Sequence, residues 1–222
     1  MNRNYSCCIV LAASLAAATS AKAAVGISLS PVEDAFATDQ PKDGVFDSLF
    51  PTSPANIVGG NSSAEYRSAL EFQLTAIPPN SIINSAILDL HGVAASGSGG
   101  SMGVYVHAYV GDGHVQLSDM YVNNPVAGPY NVSLGPPPPL VQFDVTNAIN
   151  GLYTSGATYA GLMLRAIPTA FTLQFGSNDN GIASARPTLD IAYTAVPEPS
   201  TLALAAFGAV ALLMARRRLP PG

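Results

Sequence analysis

The sequence predicts an all-β protein: a single antiparallel β-sandwich or jelly roll, flanked by an apolar helix at the N-terminus and another at the C-terminus. Three observations predict it. Between about residues 25 and 195 apolar residues recur with a period of two, Gly, Pro, Asn and Ser fall between nearly every pair of such runs, and both chain ends carry apolar segments flanked by basic residues. Alternation at period two marks a strand with one buried face, and short strands punctuated by turn residues are the material of antiparallel sandwiches.

At the N-terminus Arg3 supplies a thin positive region, Ile9 to Ala18 an apolar stretch, and Ala21-Lys22-Ala23-Ala24 the small residues a signal peptidase accepts. Residues 1–24 therefore read as a secretory signal peptide. Cys7 and Cys8, the two cysteines of the 222-residue chain, lie before the apolar stretch and leave with it. The domain that remains, residues 25–195, has no cysteine to cross-link and must fold on its hydrophobic core, for which its length is sufficient.

The strand signals follow in chain order. Leu70, Phe72 and Leu74 alternate with Glu71 and Gln73, Leu88 and Leu90 with Asp89 and His91, and Val104, Val106 and Ala108 with Tyr105, His107 and Tyr109. The pattern resumes at Val141, Phe143 and Val145, at Phe171, Leu173 and Phe175, and at Leu189, Ile191 and Tyr193. One internal helix is expected, capped by Thr146, running Asn147 to Tyr153 and ended by Ser155-Gly156. Ala95 to Ser101 and Gly135 to Pro139 read as loops, the first flexible and the second stiff. No repeat of solenoid or propeller length is present, so the domain closes on itself.

Charge excludes one class of partner. The domain holds Lys42, Arg67, Arg165 and Arg186 against 13 of the chain's 14 acidic residues. So acidic a surface does not neutralise phosphates, and no nucleic-acid partner is expected.

Chemical motifs are few. Gly99-Gly100-Ser101-Met102-Gly103 has the spacing of a nucleophile elbow, but it closes a Gly/Ser loop and enters a strand, where the elbow needs a strand, a strained turn and a helix. His91, His107 and His114 do not have zinc spacing. Glu71 and Asp89 would make a carboxylate pair if their strands were adjacent, the arrangement glycoside hydrolysis uses, yet outward strand positions supply such pairs routinely. No enzymatic activity is expected. Asp34, Asp39, Asp43 and Asp47, in a segment that reads as loop, and Asn178, Asp179 and Asn180 before a turn offer the hard oxygens a structural calcium ion takes; solvated turn residues give the same pattern. Tyr105, His107 and Tyr109 share one face of a strand and would suit the apolar face of a sugar, although the same spacing serves a packed face.

The tail carries the most specific signal. Pro197-Glu198-Pro199, a Ser200-Thr201 step, the uncharged run Leu202 to Ala215 and the cluster Arg216, Arg217, Arg218 together resemble the PEP-CTERM sorting signal. At ~1.5 Å per residue this apolar run falls short of a hydrocarbon core of ~30 Å, and the arginines hold its end on the cytoplasmic side. For residues 196–218, with the transmembrane segment at 202–215, the resemblance implies export, transient membrane anchoring and processing by an exosortase-type enzyme, then delivery to the cell surface or the extracellular matrix of a biofilm.

A second resemblance covers residues 32 to 193. Glu33-Asp34-Ala35-Phe36, Arg67 to Leu74 followed by Ile77-Pro78, Ile82 to Leu90, Phe143-Asp144-Val145-Thr146, Gly161-Leu162 and Ala185-Arg186-Pro187-Thr188-Leu189 occur in the order seen in DNRLRE domains, though the D-N-R-L-R-E string itself is absent. That resemblance implies a jelly-roll domain similar to carbohydrate-binding modules. Two functions follow as expectations: a structural or adhesive matrix protein, and a lectin-like module for extracellular polysaccharide.

Overall fold

The computed structural model describes residues 24–96, 100–133, 140–167 and 171–196, together with Gly208. Twelve strands run through them: β1 (Val25–Leu29), β2 (Glu33–Asp39), β3 (Ser48–Phe50), β4 (Ala55–Gly60), β5 (Glu65–Gln73), β6 (Ile82–Ala95), β7 (Ser101–Gly111), β8 (Pro125–Ser133), β9 (Leu140–Asp144), β10 (Tyr159–Ile167), β11 (Thr172–Gly176) and β12 (Thr188–Thr194). An α-helix of nine residues, α1 (Thr146–Thr154), lies between β9 and β10.

Every pairing is antiparallel. The strands form one continuous sheet, ordered β1-β12-β6-β11-β4-β5-β10-β7-β8, with β9 paired to β6, β2 to β5 and β3 to β2. The two sheets expected of a sandwich are thus one sheet that curls over on itself. The strand responsible is β6. Its first part, Ile82 to His91, pairs with β12 and β9, and its last residues pass on to β11, where the register slips between Gln174 and Phe175. A register slip adds a bend and twist to the strand that carries it, which is how a sheet turns a corner without breaking its ladder.

The alternation seen in the sequence is the inward row of this curl. Leu88 and Leu90 of β6, Val141 and Phe143 of β9, and Leu189 and Ile191 of β12 face Leu70 and Phe72 of β5, Val104 and Val106 of β7, and Leu162 and Leu164 of β10 in one buried core. Ile149 of α1 packs into it. A smaller core lies on the opposite face of β2, β5 and β10, where Ala35, Ala37, Ala69 and Met163 are covered by Phe46, Val115 and Met120 from two loops. Burial on both faces explains why β2 and β10 read as runs without a clean period of two. Asp34 and Asp39, read as loop residues, belong to β2 and are buried.

The helix forms where expected but is capped differently. Val145 is its N-cap and makes no side-chain cap bond. Thr146, expected as the cap, accepts instead through Oγ1 from Ala86 N at 2.9 Å and so ties α1 to β6, while Asp144 Oδ1 accepts from Thr146 N at 3.0 Å. Leu74 falls in a short 3₁₀ turn, Leu74–Ala76, and remains buried. The Gly135–Pro139 spacer, residues 1–23 of the signal segment and the 202–215 segment, Gly208 apart, lie outside the described residues. Among the described residues no helix is long and apolar enough to cross a membrane.

Phe175, fully buried beside the register slip, tests the account of the curl. Phe175→Ala is expected to cost about 4 kcal/mol in chemical unfolding. Ile182→Ala, at a residue 65% exposed, should stay within about 0.5 kcal/mol of the parent.

Candidate functional site

Pairing of β1 with β12 places Val25 opposite Tyr193. The chain therefore enters the domain and leaves it at one corner. Ile82, opposite Thr194, belongs to the same corner. A cavity of about 610 Å³ opens at this end, lined by Leu74, Ile77, Asn80, Ser81, Tyr153 and Thr158 among others. Tyr153 braces it, its hydroxyl donating to Pro78 O and accepting from Ser81 N. Pro197, Glu198, Pro199 and Arg216 to Arg218 lie outside the described residues.

Tyr105, His107 and Tyr109 do share one face of β7, opposite the core row, as strand geometry requires. That face is not an open platform. His107 is buried, Tyr105 and Tyr109 are half-buried, and the Tyr109 hydroxyl is shut off from solvent. The cover is the segment after β7, whose Val115, Met120 and Leu117 pack on this side of the sheet, and nothing within β7 itself announces it. Burial, with Arg165 and Arg67 nearby, holds the His107 imidazole below its ordinary range.

Beneath the same cover lies a buried acidic cluster. Glu71 of β5 is opposite Gly161 of β10, and Gly161 is opposite Tyr109 of β7, so the three form a row across the sheet. Because position 161 has no side chain, the Tyr109 ring lies across it towards Glu71; a Cβ there would stand 2.2 Å from Tyr109 Cζ. Glu71 is 1% exposed, and its Oε2 accepts from Gly113 N. Glu71 Oε1 and the Tyr109 hydroxyl have no partner of good hydrogen-bond geometry. Burial pushes the Glu71 and Asp119 carboxyls above their ordinary range, and Asp112 pushes both further. Tyr109 is driven upward too, by burial and by the carboxylates around it. Beside the cluster Arg67 is held by Glu65 at 2.7 Å and by Met120 O, with its guanidinium over the Phe46 ring.

Glu71 and Asp89 are not a pair. Asp89 lies on β6, which does not pair with β5, and accepts from Gln142 Nε2 at 2.9 Å. His114 is exposed and meets Glu33 at 3.0 Å, a contact that raises its pKa; the three histidines do not converge. Ser101 opens β7 opposite Ser133 of β8, a strand pairing with no helix after it, while Gly99 lies outside the described residues.

Of the oxygen donors considered for calcium, the fold joins some and spends others. Asp34 Oδ2 accepts from Asn56 Nδ2 at 2.6 Å and from Asn178 N at 2.9 Å, bringing β2 against the 177–180 turn, and burial raises the Asp34 pKa, with Asp179 adding to it. Asp39 caps the amides of Asp43 and Gly44, Asp43 accepts from Val45 N, and Asp47 accepts from Gln40 N. Asn180 Nδ2 donates to Pro54 O. These are turn-building bonds. Among the described residues no group of three His, Cys, Asp or Glu side chains is placed to hold a metal ion.

Comparison with known families finds one match at the tail: the PEP-CTERM protein-sorting motif, over residues 195–218. It starts one residue after β12 ends. The motif marks an exported protein that is sorted and processed by an exosortase. The match does not reach the curled sheet, and no curated protein matches the chain.

Two expectations follow from the row across the sheet. Gly161→Ala should destabilise by about 3 kcal/mol, because the new methyl and the Tyr109 ring claim the same space. In the Gly161→Ala, Tyr109→Ala double variant the losses should be clearly less than additive in urea unfolding. Glu71, whose folded pKa is raised above the ordinary glutamate value of 4.5, contributes stability below that value and loses it as pH rises through the folded pKa. Measured against Glu71→Gln, the parent's thermal midpoint should therefore gain as pH is lowered from neutral towards 4.5; a constant difference would rule this out.

Proposed function

We propose that this chain is a surface or extracellular-matrix protein, anchored in the inner membrane only in transit, whose curled β-domain is the structural or adhesive part that remains outside after an exosortase-type enzyme removes the tail. The carrying observation is the PEP-CTERM motif beginning directly after β12, at the corner where β1 also starts. With both ends at one corner, the domain folds outside the membrane while its tail is still embedded, and cutting near Pro197-Glu198-Pro199 leaves the sheet intact. The acidic, cysteine-free domain fits a well-solvated exterior component. The resemblance to DNRLRE domains supports a second reading, a lectin-like module for extracellular polysaccharide; the partly exposed ring of Phe50, stacked on Phe36, favours it.

Replacing Pro197, Glu198 and Pro199 by alanine is expected to leave a heavier species in the membrane fraction, read by immunoblot of fractionated cells. Maturation and partitioning like the parent would overturn the sorting role.

A further inference from the structure

A second cavity, of about 360 Å³, lies where β2 and β3 stand beside β4 and β11. No side chain lining it is charged, although the domain around it is strongly acidic. One wall is aromatic. Phe36 of β2 and Phe50 of β3 stack with centroids 4.5 Å apart and planes 11° from parallel, and Tyr66 of β5 meets Phe36 at 6.3 Å. Phe36 is buried, whereas Phe50 is 42% exposed. Phe50 thus stacks on Phe36 and still keeps part of its ring exposed at the cleft. Gln40, Thr172 and Gln174 supply amide and hydroxyl groups around these rings.

From this arrangement we infer that the cleft binds a neutral hexose polymer. A pyranose has an apolar C–H face that stacks on an aromatic ring and a rim of hydroxyls that both donate and accept. Primary amides do the same with two donors and a carbonyl, so Gln174 and Gln40 match vicinal hydroxyls. An uncharged lining gives no counter-charge to a polyuronate, and the acidic surface around it repels one. A purely apolar occupant, such as a side chain of a second copy, would leave the Gln40 and Gln174 amides without partners.

The position suits capture. Ile82 at one end of β6 is opposite Thr194, at the tail corner, while Ala95 at the other end is opposite Leu173, next to Thr172 of the cleft. That is roughly 40 Å of strand at ~3.3 Å per residue. The cleft therefore lies by the end of β6 opposite the tail corner. The inference deepens the lectin-like reading and does not depend on the sorting one.

The test uses the full-length chain purified in detergent, in affinity electrophoresis through gels containing soluble neutral glucans, mannans or galactans, with alginate as the charged comparison. Retardation by at least one neutral polymer and not by alginate is expected. Phe50→Ala should weaken it by about tenfold. Gln174→Ala, which leaves the aromatic stack in place, should weaken it severalfold with the thermal midpoint unchanged, and Ile182→Ala should bind as the parent. Absence of retardation by every neutral polymer, or parent-like binding by both cleft variants, overturns the inference. So does sedimentation showing self-association that Phe50→Ala abolishes, in a chain that no glycan retards, since the cleft then belongs to a second copy. Normal maturation of the Pro197-Glu198-Pro199 variant would end the sorting role and leave this site untouched; loss of glycan binding would do the reverse.

Discussion

Strand β6 keeps its hydrogen bonds along fourteen residues while handing its partnership from β12 and β9 to β11, and the rest of the domain depends on that continuity. A strand that stopped at His91 would leave two sheets joined only by loops, with backbone groups at new edges to be satisfied elsewhere. Because the ladder continues through a register slip, the sheet closes over Leu88, Leu90, Phe143, Leu70 and Phe72 without a disulfide to hold it. The same strand sets the distance between the two ends of the molecule. One end receives both chain termini of the domain, and the other carries the aromatic cleft.

The outer face of β5, β10 and β7 shows what the curl leaves behind. A sheet buried on one side ordinarily turns polar residues to water on the other, and Glu71, Tyr109 and His107 stand at such positions. Here the segment after β7 folds back and covers them. Polar side chains placed for solvent then become buried, and the result is a raised carboxyl on Glu71 and on Asp119 and a lowered imidazole on His107. Gly161 makes this possible, since the Tyr109 ring needs the space a side chain would take. These shifts follow from packing, since burial under the loop is their largest cause.

Candidate sites were legible in proportion to how local they are. The sorting signal is contiguous, with Pro197-Glu198-Pro199, an uncharged run and Arg216-Arg217-Arg218 in one order, so it is readable without a fold. The carboxylates Asp39, Asp43 and Asp47 were readable as a cluster, but their work is local too: they bind backbone amides of their own turn. The aromatic cleft was not readable. Phe36, Phe50, Tyr66 and Gln174 come from four strands, and no spacing along the chain joins them.

The sequence by itself determined that the domain is β-rich, which faces of β6, β7, β9 and β12 turn inward, where the helix falls, and how the tail is addressed. All of these are written at a period of two, at a turn, or in one uninterrupted segment. Only the tertiary structure decided that the two sheets are one, that Asp34 and Asp39 are buried in a strand, that Tyr109 lies under a loop with His107 buried beside it, and that Glu71 faces Tyr109 and not Asp89. The physical reason is common to them. A strand's own sequence specifies which side chains share a face, whereas what lies against that face depends on pairings such as β5 with β10 and β10 with β7, made between residues that are far apart in the chain.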